Sequence, residues 1–183
     1  MVILDAAESA FAKDGLSRAR IEDVAAVAGV AVGTVYNHFA DREALVKMLL
    51  ERRRTEALSM VDTELAKRCQ APFAARLEAV LSAMVDHFDA HRAFYSLLFE
   101  DEGQCGRSRR HPTLSGLVAR LEKLVAAGVA EHALREDDAE LYPQLVAGMF
   151  RGLLFHALRA KNSAPLGDVV KPMVRLFMEG AAP

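Results

Sequence analysis

The chain has no tryptophan, two cysteines and few aromatics, and each shortage removes a class of protein. Cys69 and Cys105 lie far apart with no second thiol near either, which excludes a zinc knuckle and a CxxC redox pair. Ordinary reduced thiols are the first reading; redox sensing by Cys105, beside Arg107, Arg109 and Arg110, is the second. No window reaches the roughly eighteen apolar residues of a membrane span, and no basic stretch followed by an apolar signal segment opens the chain, so a cytoplasmic location is expected. GxSxG, HExxH and phosphate-loop signatures are missing, as is any paired acid and base. No enzyme, cofactor or bound metal is expected.

Strand-type alternation is missing too, which points to an all-α fold. Net charge is −2, so the surplus of positive charge usual in a nucleic-acid binder is lacking. From Met1 to Leu50, Lys13, Arg18, Arg20, Arg42 and Lys47 are outnumbered by Asp5, Glu8, Asp14, Glu22, Asp23, Asp41 and Glu43, and only Arg52, Arg53 and Arg54 redress the balance. Backbone N–H groups at helix starts and side-chain hydroxyls also hold phosphate, so the distribution matters more than the total.

What is present begins with 183 residues, 52% apolar and 26% charged, enough for a sizeable core or two modest units. Val2 to Lys13 carries an apolar stripe, Ile3, Leu4, Ala7, Ala10 and Phe11, and stops at Gly15. The most informative stretch is Ile21 to Leu45. Ile21, Val24, Ala25 and Ala28 fall at helical spacing, with Glu22 and Asp23 near the N-terminus where the helix dipole favours negative charge. Gly29 can close that helix in the left-handed conformation, and Gly29-Val30-Ala31 supplies a short turn. Val32 to Phe39 then forms a second helix with Val35 and Phe39 inward and Gly33, Thr34, Asn37 and His38 mostly on other faces. The pair reads as a helix-turn-helix.

The run Gly29-Val30-Ala31-Val32-Gly33-Thr34-Val35-Tyr36-Asn37-His38-Phe39, followed by Asp41-Arg42-Glu43-Ala44-Leu45, resembles the DNA-binding signature of the TetR family of bacterial transcriptional regulators. The likeness extends back through Ala6-Ala7, Phe11 and Gly15, about the first fifty residues. It implies that Tyr36 and His38 hold phosphates, that Thr34 touches backbone or a base edge, and that Arg42 stands where relatives commonly have lysine. Arg20 stands where a phosphate contact is permitted. Val32, Gly33 and Asn37 are the candidates for base contact: Asn37 can pair bidentately with adenine, and Val32 offers a methyl surface to thymine. The chain departs from its relatives at Ala19, Arg20 and Ala31, where they usually have hydroxyl caps, and in starting without a short basic arm. Weaker DNA affinity is expected.

Asp41 caps a fourth helix to about Leu65, with Ala44, Leu45, Met48, Leu49 and Leu50 packed inward and Glu51 to Arg54 outward. Further helices are expected over Phe73 to His91, Arg92 to Phe99, Thr113 to Leu134, Asp137 to Lys161 and Leu166 to Glu179, with Glu100 to Pro112 as a polar loop. The expected architecture is a helix-turn-helix DNA-binding domain over 1–46 and a helical ligand-binding and dimerisation domain over 47–183, about nine helices in all.

Leu145 to Leu158 is apolar around most of its circumference, and Gly148 and Gly152 make a flat strip, so a partner is implied. The TetR resemblance implies a homodimer packed through the last two helices, here Gly148, Gly152, Phe155, Val170, Val174 and Phe177, binding a palindromic operator. It also implies a small-molecule effector inside the helical domain, for which Met84, His87, Phe88, His91, Tyr95, Phe99, Met149, Phe150 and Leu154 are the candidate lining. Those residues are equally the makings of a plain core. His87 and His91 have metal-ligand spacing without an obvious third ligand. Repression released by an effector is the expected function; a helical adaptor that has lost DNA binding is the second reading.

Overall fold

Apolar periodicity and glycine stops place most helix ends. A computed structural model describes residues 2–15, 18–96, 112–159 and 166–181, and every described regular element is helical. The helices are α1 (Val2–Asp14), α2 (Ile21–Ala28), α3 (Val32–His38), α4 (Arg42–Lys67), α5 (Phe73–Ala90), α6 (92–96, where the described stretch ends), α7 (Pro112–Ala130), α8 (Tyr142–Arg159) and α9 (Gly167–Ala181), with a 3-10 turn at Ala139–Leu141. The expected polar loop over Glu100 to Pro112 lies outside the described residues apart from Pro112 itself, which opens α7, where a missing N–H costs no hydrogen bond.

The chain divides into two compact units: residues 1–55 with 91–109, and 56–90 with 110–183. In the first, α1 packs on α2 and α2 on α3. Its core is Ala6, Ala7, Ala10 and Phe11 from α1, Ile21, Val24 and Ala25 from α2, Val35 from α3, Leu45 and Leu49 from α4, and Phe94 from α6. Phe94 is far away in sequence, so periodicity alone leaves α6 with the second domain.

Gly29 closes α2 at φ 68°, with its N–H bonded to the Ala26 carbonyl and the Val30 N–H to the Ala25 carbonyl at 3.0 Å. This double closure turns the chain sharply into α3. A Cβ at Gly29 would meet nothing within 4 Å, so the cost of a side chain there is conformational and not steric. Gly29→Ala is expected to destabilise the first unit by about 1 kcal/mol, read as a lower urea midpoint with an unchanged slope.

Two expectations for α4 are corrected. Met48 is 52% exposed, and Arg53, expected outside, is 6% exposed. The inward line of α4 steps in fours through Leu45, Leu49 and Arg53, and Met48 falls beside it. Arg53 is held there by one carboxylate oxygen of Glu8 on α1. The other oxygen lies 2.9 Å from His91 Nδ1 and accepts from the ring when that nitrogen carries the proton.

In the second unit α5 packs on α9 and α7, and α7 on α8. Leu77, Val80, Leu81, Leu117, Leu121, Val146, Phe150 and Met173 are among its buried side chains. Small residues set two approaches: a Cβ on Gly116 of α7 would lie 2.5 Å from Leu58, and one on Gly128 would lie 2.5 Å from Phe73. The end of α9 is tied down by the Arg135 N–H, which donates to the Ala181 carbonyl at 2.9 Å. No described helix is long and apolar enough to cross a membrane.

Candidate nucleic-acid interface

The recognition unit is built on Val35, which is fully buried and anchors α3 to the first core. With one residue of a seven-residue helix turned in, most of the rest face out. Val32, Gly33, Tyr36, Asn37 and His38 are all exposed, and Thr34 is half-buried. Tyr36 is 49% exposed, which leaves its hydroxyl available to an outside acceptor. Arg20 is exposed just ahead of α2, and Arg42 is half-buried at the start of α4 with no hydrogen-bond partner for its Nε. The structure thus gathers the expected DNA-contacting residues onto α3 and the two segments flanking the motif. Val27, 57% exposed near the end of α2, was not anticipated; its only sequence signal is that it falls off the Ile21–Val24–Ala25–Ala28 stripe.

The absent caps have different outcomes. At α2, the Asp23 carboxylate accepts the Arg20 N–H at 2.8 Å, half of a capping box running from the helix back to its start. Asp23 therefore offsets the missing hydroxyl. At α3, Ala31 makes no side-chain cap, and the Thr34 N–H is satisfied by the Ala31 carbonyl at 2.9 Å. At α4, Asp41 caps as expected, accepting the Ala44 N–H at 2.7 Å.

These contacts also explain the local excess of acid. Asp5 pairs with Arg52 at 2.7 Å, Glu8 with Arg53, and Asp23 and Asp41 cap helices. Four of the seven acidic side chains in the first fifty residues are therefore engaged in holding the unit together. None lies on α3. The exposed face of α3 carries no negative charge of its own.

The residues expected to face a partner divide. Gly148 and Gly152 are exposed with open space beyond them, and Phe155 is half-buried with the Arg151 guanidinium 5.3 Å from its ring centroid. Val170, Val174 and Phe177 are turned into their own subunit, Phe177 meeting the Tyr142 ring edge-on at 5.6 Å. On α9 the exposed large apolar side chain is Leu176, and on α8 it is Leu145. The α9 stripe is simply wide enough that sequence could not tell its inward side from its outward one.

Of the candidate effector lining, Met84, His87, Phe88 and Phe150 are buried in the second unit and Met149 and Leu154 half-buried there. His91 and Tyr95 belong to the first unit, and Phe99 lies outside the described residues. Two open grooves occur elsewhere in the second unit. One, of about 650 Å³ between α4 and α5, has Glu64, Lys67 and Arg68 along its wall, where hydrogen bonding from Lys67, then Arg68, holds the Glu64 carboxyl below its ordinary range. The other lies between α4 and α7.

Residues 3–49 match the family model described as "Bacterial regulatory proteins, tetR family". Over 187 aligned residues the chain is 26% identical to the HTH-type transcriptional repressor KstR2 of Rhodococcus jostii, covering 98% of this chain and 89% of that protein. It is 45% identical over 49 residues to the HTH-type transcriptional regulator TtgR of Pseudomonas putida, covering 27% of this chain and 23% of that one. Its fold is similar to that of FadR from Bacillus subtilis, solved in complex with stearoyl-CoA, with a TM-score of 0.83 and 19% identity over 98% of each chain. With a recognition helix uncovered on a small helical core and these likenesses beside it, residues 3–49 are similar to the DNA-binding domain of the tetR family of bacterial regulatory proteins, and the whole fold is similar to that of regulators of this kind.

Proposed function

We propose that the protein is a cytoplasmic repressor that binds a palindromic operator as a homodimer and is released by a largely apolar small molecule. Residues 1–46 are the DNA-binding domain and 47–183 the effector and dimerisation domain. The observation that supports this reading is the uncovered, acid-free face of α3, on which Val32, Gly33, Tyr36, Asn37 and His38 are exposed and Thr34 is half-buried. In this reading Tyr36 and His38 hold phosphate, Asn37 and Val32 meet base edges, and Gly33, Thr34, Arg20 and Arg42 lie along the same contact. One such helix spans only a few base pairs, so a two-fold pair of subunits is needed for a specific site. Leu145, Gly148 and Gly152 of α8 and Leu176 of α9 offer an exposed apolar surface for that pairing.

For the effector, the buried and half-buried residues Met84, His87, Phe88, Met149, Phe150 and Leu154 supply an apolar lining. The stearoyl-CoA complex of the Bacillus subtilis relative supports an apolar ligand of some length.

Sites selected from random DNA test the reading, followed by binding to the selected site at several salt concentrations. Affinity is expected to fall linearly on a log–log plot with a slope of about 0.9 per neutralised phosphate. Tyr36→Ala is expected to weaken all sequences alike and to leave that slope unchanged, because a neutral hydroxyl releases no counterion from the DNA. Asn37→Ala is expected to cost about 1–3 kcal/mol at one base position and leave the others unchanged. Absence of any selected sequence would favour the adaptor reading, to which the uncapped Ala31 already inclines.

A further inference from the structure

Ala119 and Ala127 place small side chains on one side of α7, and the space they leave beside α4 is a groove of about 430 Å³. Three cations line it, Arg76, Arg120 and Lys123, against the single carboxylate of Asp62. Each cation is in a different condition. Arg120 is engaged: its Nε donates to Asp62 at 2.7 Å and another nitrogen to the Gly116 carbonyl at 3.1 Å. Lys123 is exposed on the rim and has no ion pair among the described residues.

Arg76 is the unusual member. Its side chain is 8% exposed, it reaches the groove from α5, and its one carboxylate partner is Glu131. A guanidinium carries five N–H donors, and the buried Nε of this one has no acceptor in the protein. Glu131 is 47% exposed and takes one N–H of that guanidinium, which leaves the Nε without an acceptor. A buried cation lining the groove with its charge only partly met by one half-exposed carboxylate, next to an uncommitted ammonium, calls for an acceptor with several oxygens.

We propose that this groove is a binding site for a phosphate group, either free or on a small ester. Two phosphate oxygens accept from Arg76 and Lys123, while Asp62 keeps Arg120 in place as the positive wall. The site is distinct from the proposed apolar effector lining and shares no residue with it.

Cys69 is exposed and lines the same groove, so its alkylation reports occupancy. The experiment uses the full chain carrying Cys105→Ser, treated with N-ethylmaleimide in chloride, acetate, inorganic phosphate or phenyl phosphate at equal ionic strength, with calorimetry of the same additions. Phosphate is expected to give binding heat and to slow alkylation about tenfold at ten times its Kd. Lys123→Gln, on the exposed rim, is expected to weaken both while the protein stays folded. Protection by inorganic phosphate identifies a free-anion site, and protection by phenyl phosphate alone identifies an ester site. Equal rates in phosphate and chloride without binding heat, equal protection by acetate, or phosphate binding that Lys123→Gln leaves unchanged would each overturn the proposal.

Discussion

Glu8→Ala is expected to lower the stability of the first unit by about 3–5 kcal/mol, enough to unfold much of it at ordinary temperature. Arg53 lies on the inward line of α4 with its side chain 7% exposed, and Glu8, 16% exposed, is its charge partner there. Removing the carboxylate takes away the charge that α1 sets against a guanidinium water cannot easily reach. Asp5→Ala is the control, because the neighbouring Arg52–Asp5 pair has a carboxylate 53% exposed and an expected worth of about 0–1 kcal/mol. Urea unfolding followed by circular dichroism compares the two. If Glu8→Ala is no worse than Asp5→Ala, Arg53 is hydrated in solution and the pair does not hold α1 to α4. Replacing both partners together, Glu8→Leu with Arg53→Met, is expected to recover most of the loss, since an apolar pair fits the line already made by Leu45 and Leu49.

Leu145→Glu combined with Leu176→Glu is expected to convert the proposed dimer to monomers and to weaken operator binding about a thousandfold, towards the non-specific level. The two leucines are 54% and 60% exposed, so charging them should change the stability of a single subunit by no more than about 0.5 kcal/mol. Sedimentation velocity reads the assembly, and an unchanged thermal melt confirms the fold. The half-site affinity should remain as it was. A double variant that still sediments as a dimer would place the two-fold interface elsewhere on the second unit.

The first fifty residues were legible because their structure is local. α2 begins and ends where the stripe and Gly29 put it, α3 begins at Val32 as expected and ends one residue before Phe39, and Asp41 caps α4 through a contact three residues away. Arg53 was misplaced for the opposite reason. An arginine between two other arginines looks like a solvated run until Glu8, 45 residues earlier, is brought opposite it. The same holds for Phe94, which helical spacing marks as apolar without saying which core receives it. On α9, Val170, Val174 and Phe177 share a helix with Leu176, and nothing in a single sequence distinguishes the side that packs on its own subunit from the side left outside.

By itself the sequence determined the helical fold class, the helix-turn-helix and the identity of the residues on its outward face, because hydrophobic period, caps and a left-handed glycine act within a few residues of each other. Only the tertiary structure decided that Asp5 and Glu8 are paired with Arg52 and Arg53 inside the first unit, that α9 turns its valines and Phe177 inward, and that Arg76 is buried at the edge of a groove lined by three cations. Those outcomes depend on which distant side chains meet, and an ion pair or a core contact between helices leaves no periodic trace along the chain.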